Sequence, residues 1–136
     1  MKRGTPGGFK PLPQAVEQVG TEIVDAAYKV HVALGPGLLE SVYETCLCFE
    51  LKERQIAFER QVRLPIRYRG VALQGKLRLD LLVEDSVICE IKAVESIPPV
   101  AISQLLTYLK LTDKRLGFLV NFNVPLIKDG IQRVIL

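Results

Sequence analysis

The chain has no tryptophan, one methionine and one histidine among its 136 residues. Without Trp there is no broad aromatic platform for a sugar ring, so a glycosidase reading that uses Glu40 and Glu90 as acid and base is set aside. Three cysteines, Cys46, Cys48 and Cys89, sit inside apolar segments, and the C-x-C of the first two has no second Cys/His pair to complete a zinc site. They read as buried thiols of a reducing compartment. His31 stands at the end of a helical pattern and reads as structural. Uncharged apolar runs are all too short to cross a bilayer, and "MKRGTPGGFKPLPQ" lacks the apolar core of a signal peptide. The expectation is a cytoplasmic protein with no membrane partner.

What the chain does have is Leu, Ile and Val in quantity, enough for one core and one domain. Residues 1–13, rich in Gly, Pro and Lys, are expected to form a flexible arm, and residues 14–136 a single domain. From Gln14 to Leu34 apolar residues recur at helical spacing until Gly35-Pro36-Gly37 stops them, and Leu38 to about Arg54 repeats the pattern. The period then changes. Phe58 to Tyr68 reads as extended, with Pro65 favouring an edge position or a bulge. Gly70 and Gly75 punctuate the chain before two short apolar runs, Lys76 to Val83 and Val87 to Ala93, joined by Glu84-Asp85-Ser86 as a hairpin. "ESIPPVAISQLLTYLKLT" reads as a helix with Pro in its first turn, "LGFLVNF" as a buried strand and "IQRVIL" as a final strand. The order α-α-β-β-β-α-β-β predicts an α/β (α+β) fold, a mixed β-sheet flanked by helices.

Within the hairpin, a three-residue loop places Val83 opposite Val87, Leu82 opposite Ile88 and Asp80 opposite Glu90, with Arg78 and Lys92 next. The expected core face carries Leu77, Leu79, Leu81 and Val83 against Val87, Cys89, Ile91 and Ala93. The other face gathers two carboxylates and a lysine. A two-residue turn would instead set Asp80 opposite Cys89. Opposed carboxylates destabilise a ladder unless a cation stands between them, and oxygen-only ligands point to Mg²⁺ or Mn²⁺. Lys92, two residues after Glu90 on the same face, would assist the attacking water or hold an anionic substrate, the arrangement needed for phosphodiester hydrolysis. The competing reading is a solvated salt-bridge cluster that includes Arg78. A basic tract, "ERQVRLPIRYRG" followed by Lys76 and Arg78, likewise allows two readings. Arg63, Arg67, Arg69 and Arg78 either track phosphates as a nucleic-acid-binding surface or keep an edge strand from aggregating.

Asp80 followed by Glu90-Ile91-Lys92 resembles the D…E-x-K core of the PD-(D/E)XK nuclease superfamily, whose fold is restriction-endonuclease-like. "GLLESVY" at Gly37–Tyr43 is similar to the signature of the GxxExxY proteins assigned to that superfamily, and "QLLTY" at Gln104–Tyr108 to the Q-x-x-x-Y element of RecB-like members. Leu79 stands where the superfamily pattern often has Pro. The resemblance covers roughly residues 17 to 125. It implies metal ligation by Asp80 and Glu90, with the Ile91 carbonyl as a third contributor, and water activation by Lys92. It implies a further carboxylate from Glu40 for the metal, and a role for Gln104 and Tyr108 in orienting Lys92 or contacting the scissile phosphate. Tyr43 either supports Glu40 or packs in the helix interface.

The activity so implied is a divalent-metal-dependent nuclease, a hydrolase acting on nucleic acid, taken as DNA. The alternative is a nuclease-like module that binds nucleic acid or protein without cutting. A domain of this size offers little surface beyond its site, so a second copy or a protein partner would supply affinity and targeting.

Overall fold

The structure, a computed structural model, describes residues 10–136, apart from the side chains of residues 74–76. Most of the expected N-terminal arm lies outside the described residues. Its end is anchored: Leu12 is buried, and the Arg115 guanidinium donates to the Lys10 carbonyl at 2.6 Å and to the Pro11 carbonyl at 3.3 Å.

Two helices come first, α1 (Gln14–Leu34) and α2 (Glu40–Glu53). Between them Gly35 and Gly37 adopt φ of 68° and 102°, a region open to glycine at no steric cost, which lets the chain reverse within five residues. Tyr43 locks this corner. Its hydroxyl donates to the Gly35 carbonyl at 2.6 Å and accepts the Leu38 N–H at 3.1 Å, while its ring stacks on Phe122 at 4.5 Å.

The sheet follows the expected order: β1 (Phe58–Tyr68), β2 (Val71–Val83), β3 (Val87–Lys92), helix α3 (Val100–Thr112), β4 (Leu116–Asn121), a 3₁₀ turn at Ile127–Asp129, and β5 (Ile131–Ile135). Spatial order is β1-β2-β3-β4-β5, antiparallel except for the β3–β4 pair, which α3 connects as a parallel crossover. β1 is an edge strand, and its pairing with β2 shifts register between Leu64 and Ile66, where Pro65 cannot donate. Two boundaries differ from the sequence expectation. β2 starts at Val71, directly after an Arg69-Gly70 turn, and runs through Gly75. α3 starts at Val100, so Pro98 and Pro99 precede the helix instead of occupying its first turn.

Helices cover both faces of the sheet. α1 and α2 pack on Leu81, Val83, Val87, Cys89 and Ile91, while α3 packs on Leu79, Leu82, Ile88 and Leu119. β3 and β4 are therefore buried on two sides, which is why they read as continuous apolar runs. This corrects the expected single core face: Leu77 and Leu79 belong with α3, and Leu81 and Val83 with α1 and α2. The change of face falls at Asp80 and, on the partner strand, at Gln61, which adopts φ of 50°. Ladder pairing skips both residues, passing from Arg60–Leu81 to Val62–Leu79. Asp80 thus stands where the sheet twists out of its alternation.

Candidate metal centre

The β2–β3 ladder has the expected register, with Leu81 opposite Cys89, Leu82 opposite Ile88 and Val83 opposite Val87. One step further, where Asp80 faces Glu90, regular pairing ends and side chains take the place of backbone partners. The Asp80 N–H donates to Glu90 Oε2 at 2.9 Å, and the Ile91 N–H donates to Asp80 Oδ2 at 2.7 Å. Each carboxylate is fixed by the other strand's main chain. The N–H and C=O of one strand residue point the same way, so the Ile91 carbonyl also faces the gap beside Asp80. Arg78 and Lys92, expected as the next pair, are not joined by the ladder, because the strands have already diverged.

Electrostatically this gap lacks positive charge. Glu90 is 4% exposed, and burial together with the neighbouring Asp80 pushes its carboxyl up to about 8. Burial also raises Asp80, against the pull of its bond from Ile91. Lys92 lowers both, yet among the described residues neither carboxylate has an ion-pair partner within 4.0 Å. Two fixed carboxylates and a carbonyl, short of counter-charge, suit a hard divalent cation that keeps water and substrate oxygens in its remaining positions. No group of three or more Asp, Glu, His or Cys side chains is gathered among the described residues, so the donor set is open and not a closed cage.

The other expected residues are distributed as follows. Glu40, the first residue of α2, is exposed and accepts the Ala93 N–H at 3.4 Å, one residue beyond Lys92. It flanks the site without forming a three-carboxylate group with Asp80 and Glu90. The Tyr43 hydroxyl is committed to the corner before α2, so this residue fixes the loop that delivers Glu40 and sits in the interface between the helices and the sheet. Tyr108 is buried in the α3 cluster; burial first, then Glu90 and Asp80, raise its hydroxyl, and Arg78 opposes them. Gln104 lies on the exposed side of α3. Arg63, Arg67, Arg69 and Arg78 are all exposed on the β1–β2 ribbon.

Glu44 and its partner Gln61 escaped the sequence reading. Glu44, one helical turn after Glu40, is 8% exposed and binds Arg60 at 3.0 Å and the Gln61 amide at 2.9 Å; the same amide reaches Asp80 Oδ1 at 3.4 Å. Glu44 contributes to the raised states of both Asp80 and Glu90. The signal was available: an acid between Tyr43 and Leu47 on an apolar helix face, four residues from Glu40. Arg60 is accordingly withdrawn from the basic tract into this network. Away from the site, burial pushes the Cys48 thiol up to about 11 and Cys89 well above its ordinary value, as expected of inert core cysteines. His31 Nε2 lies 2.8 Å from the Val124 carbonyl and holds that loop against α1.

A helix pair, a distorted hairpin presenting Asp80 and Glu-x-Lys, and a parallel crossover helix together define a nuclease-like class. The chain belongs to the PD-(D/E)XK nuclease superfamily, whose family model matches residues 17–134. No curated protein and no solved structure matches it. Among the described residues no helix is long and apolar enough to cross a membrane.

Proposed function

We infer that this protein is a divalent-metal-dependent nuclease that hydrolyses phosphodiester bonds of DNA, and that it is of the GxxExxY type. The observation that carries the reading is the reciprocal locking of Asp80 and Glu90 at a point where the sheet is short of positive charge. Asp80, Glu90 and the Ile91 carbonyl would hold Mg²⁺ or Mn²⁺, with Glu40 at the rim. Such an ion supplies charge neutralisation on the phosphate and a lowered pKa for the attacking water. Lys92, from the same strand, positions that water and offsets charge on the phosphate oxygens. Tyr108 and Gln104, one turn apart on α3, would orient Lys92 or contact the scissile phosphate. Glu44 acts through Gln61, holding Asp80 in place.

The test is cleavage of linear, circular and single-stranded DNA with Mg²⁺ or Mn²⁺, comparing wild type with Glu90→Ala and with EDTA. Cleavage that needs both the metal and Glu90 supports the reading, and the products separate endonuclease from exonuclease. Thermal shift by the metal is measured alongside: stabilisation lost in Glu90→Ala without any cleavage would leave a non-cutting module.

A further inference from the structure

The β1–β2 ribbon outruns the sheet. β3 pairs only with Leu81–Val83 of β2, so among the described residues Val71 to Leu79 have β1 as their sole strand neighbour. α3 supports the base of the ribbon at Val62, Leu64, Leu77 and Leu79. Beyond Leu64 no described side chain of the ribbon is buried, and Tyr68, Val71 and Leu73 are 64%, 58% and 46% exposed. From Asp80 to the turn at Gly70 the arm measures roughly 30 Å, close to one turn of a B-form duplex.

Charge is segregated onto this arm. Between Glu59 and Asp80 there is no acidic residue and there are six basic ones, of which Arg60 is paired with Glu44; the rest of the chain has 12 basic and 15 acidic residues. Arg63 and Arg78 stand directly opposite each other across the ladder, and neither has an acidic partner among the described residues. A like-charged cross-strand pair weakens a ribbon; an anion bound between the two guanidiniums removes that cost. At the tip, cross-strand pairing puts Tyr68 with Val71 and Ile66 with Leu73 on one face and Arg67 with Ala72 on the other. The tip is therefore amphipathic, with an apolar side and a basic side.

We propose that the β1–β2 ribbon is a DNA-gripping arm that lies in the major groove of a B-form duplex, with Arg63 and Arg78 clamping a phosphate next to the cleavage site and Arg67 and Arg69 holding the backbone further along. The proposal rests on the nuclease reading for the role of Asp80 at its base. The choice of duplex DNA follows from shape: a two-stranded ribbon fits the B-form major groove, whereas the A-form major groove of double-stranded RNA is too narrow to admit it. The apolar face of the tip then meets thymine methyls and sugar edges.

The experiment is fluorescence anisotropy in EDTA with the full chain and three probes of equal length: a DNA duplex of about three helical turns, one of its strands alone, and the matching RNA duplex. Each is titrated over a series of salt concentrations. Wild type is expected to favour the DNA duplex. Arg67→Gln with Arg69→Gln should weaken it at least about tenfold and flatten the salt dependence by roughly two phosphate contacts. Arg63→Gln with Arg78→Gln should do the same while leaving the melting temperature no lower, a result that separates lost binding from lost folding. Lys110→Gln with Lys128→Gln, both exposed and off the ribbon, should change neither quantity. Unchanged binding in the ribbon variants, absent binding of wild type, or equal ribbon-dependent affinity for RNA duplex or single strand would overturn the proposal. Because no metal is needed, the outcome is independent of cleavage: binding through the ribbon without any cleavage removes the nuclease reading alone, and cleavage indifferent to the ribbon removes only the arm.

Discussion

Glu90 concentrates the conflict in this molecule: a buried acid, locked to its neighbour's backbone, with a second carboxylate for company. Its folded-state pKa of about 8 lies above the ordinary value of 4.5. In metal-free protein the folded state therefore holds a proton that the unfolded chain has lost, and stability falls as pH rises from about 4.5 through 8. Asp80 shifts in the same direction. Glu90→Gln should remove most of this slope, gaining on the order of 3 kcal/mol over wild type at high pH, measured by urea unfolding in chelator across the pH range. If wild type instead gains stability over that range, the carboxylates have a counter-charge that the geometry does not reveal. Lys92 is only partly buried and among the described residues holds no salt bridge through its ammonium, so Lys92→Ala should keep the melting temperature while cutting turnover by roughly 10²–10³, the scale for loss of one preorganised electrostatic partner. Retained full activity would end its assigned role.

The hairpin could be read at the level of elements because Glu84-Asp85-Ser86 fixes loop length, and loop length fixes which residues face each other. The helices were legible from spacing and from Gly35-Pro36-Gly37, and the edge position of β1 from Pro65. The switch of face at Asp80 and Gln61 was hidden, since alternation is assumed until a strand breaks it and nothing local announces a φ of 50° at a glutamine. Glu44 showed itself only as an acid on an apolar helix face; its role was hidden because its partners Arg60 and Gln61 arrive from another element. The corner before α2 yields a direct test. Tyr43→Phe keeps the stack on Phe122 but leaves the Gly35 carbonyl and Leu38 N–H unpartnered, and should cost about 1–2 kcal/mol. α3 depends on Gly117 of β4, where an added methyl would come within 2.9 Å of Leu105 Cδ1. Gly117→Ala should push α3 outward, destabilise by about 1–3 kcal/mol and lower activity by displacing Tyr108; thermal denaturation and cleavage rates measured on one preparation check both.

Over the whole molecule, the buried core and the exposed basic charge occupy different regions. β3 and β4 are enclosed by three helices, whereas among the described residues the outer part of the ribbon has a single strand pairing and exposed side chains. Hydrogen exchange should be slowest in β3 and β4 and fastest between about Ile66 and Leu73; uniform protection would mean that the arm is covered in solution. Segregation of charge has a practical side as well. The overall pI of about 8.8 describes neither part, since a basic arm projects from a body in which acids outnumber bases. At low salt near neutral pH such a particle is retained by both cation and anion exchangers, and neutralising the arm's arginines leaves only the second behaviour.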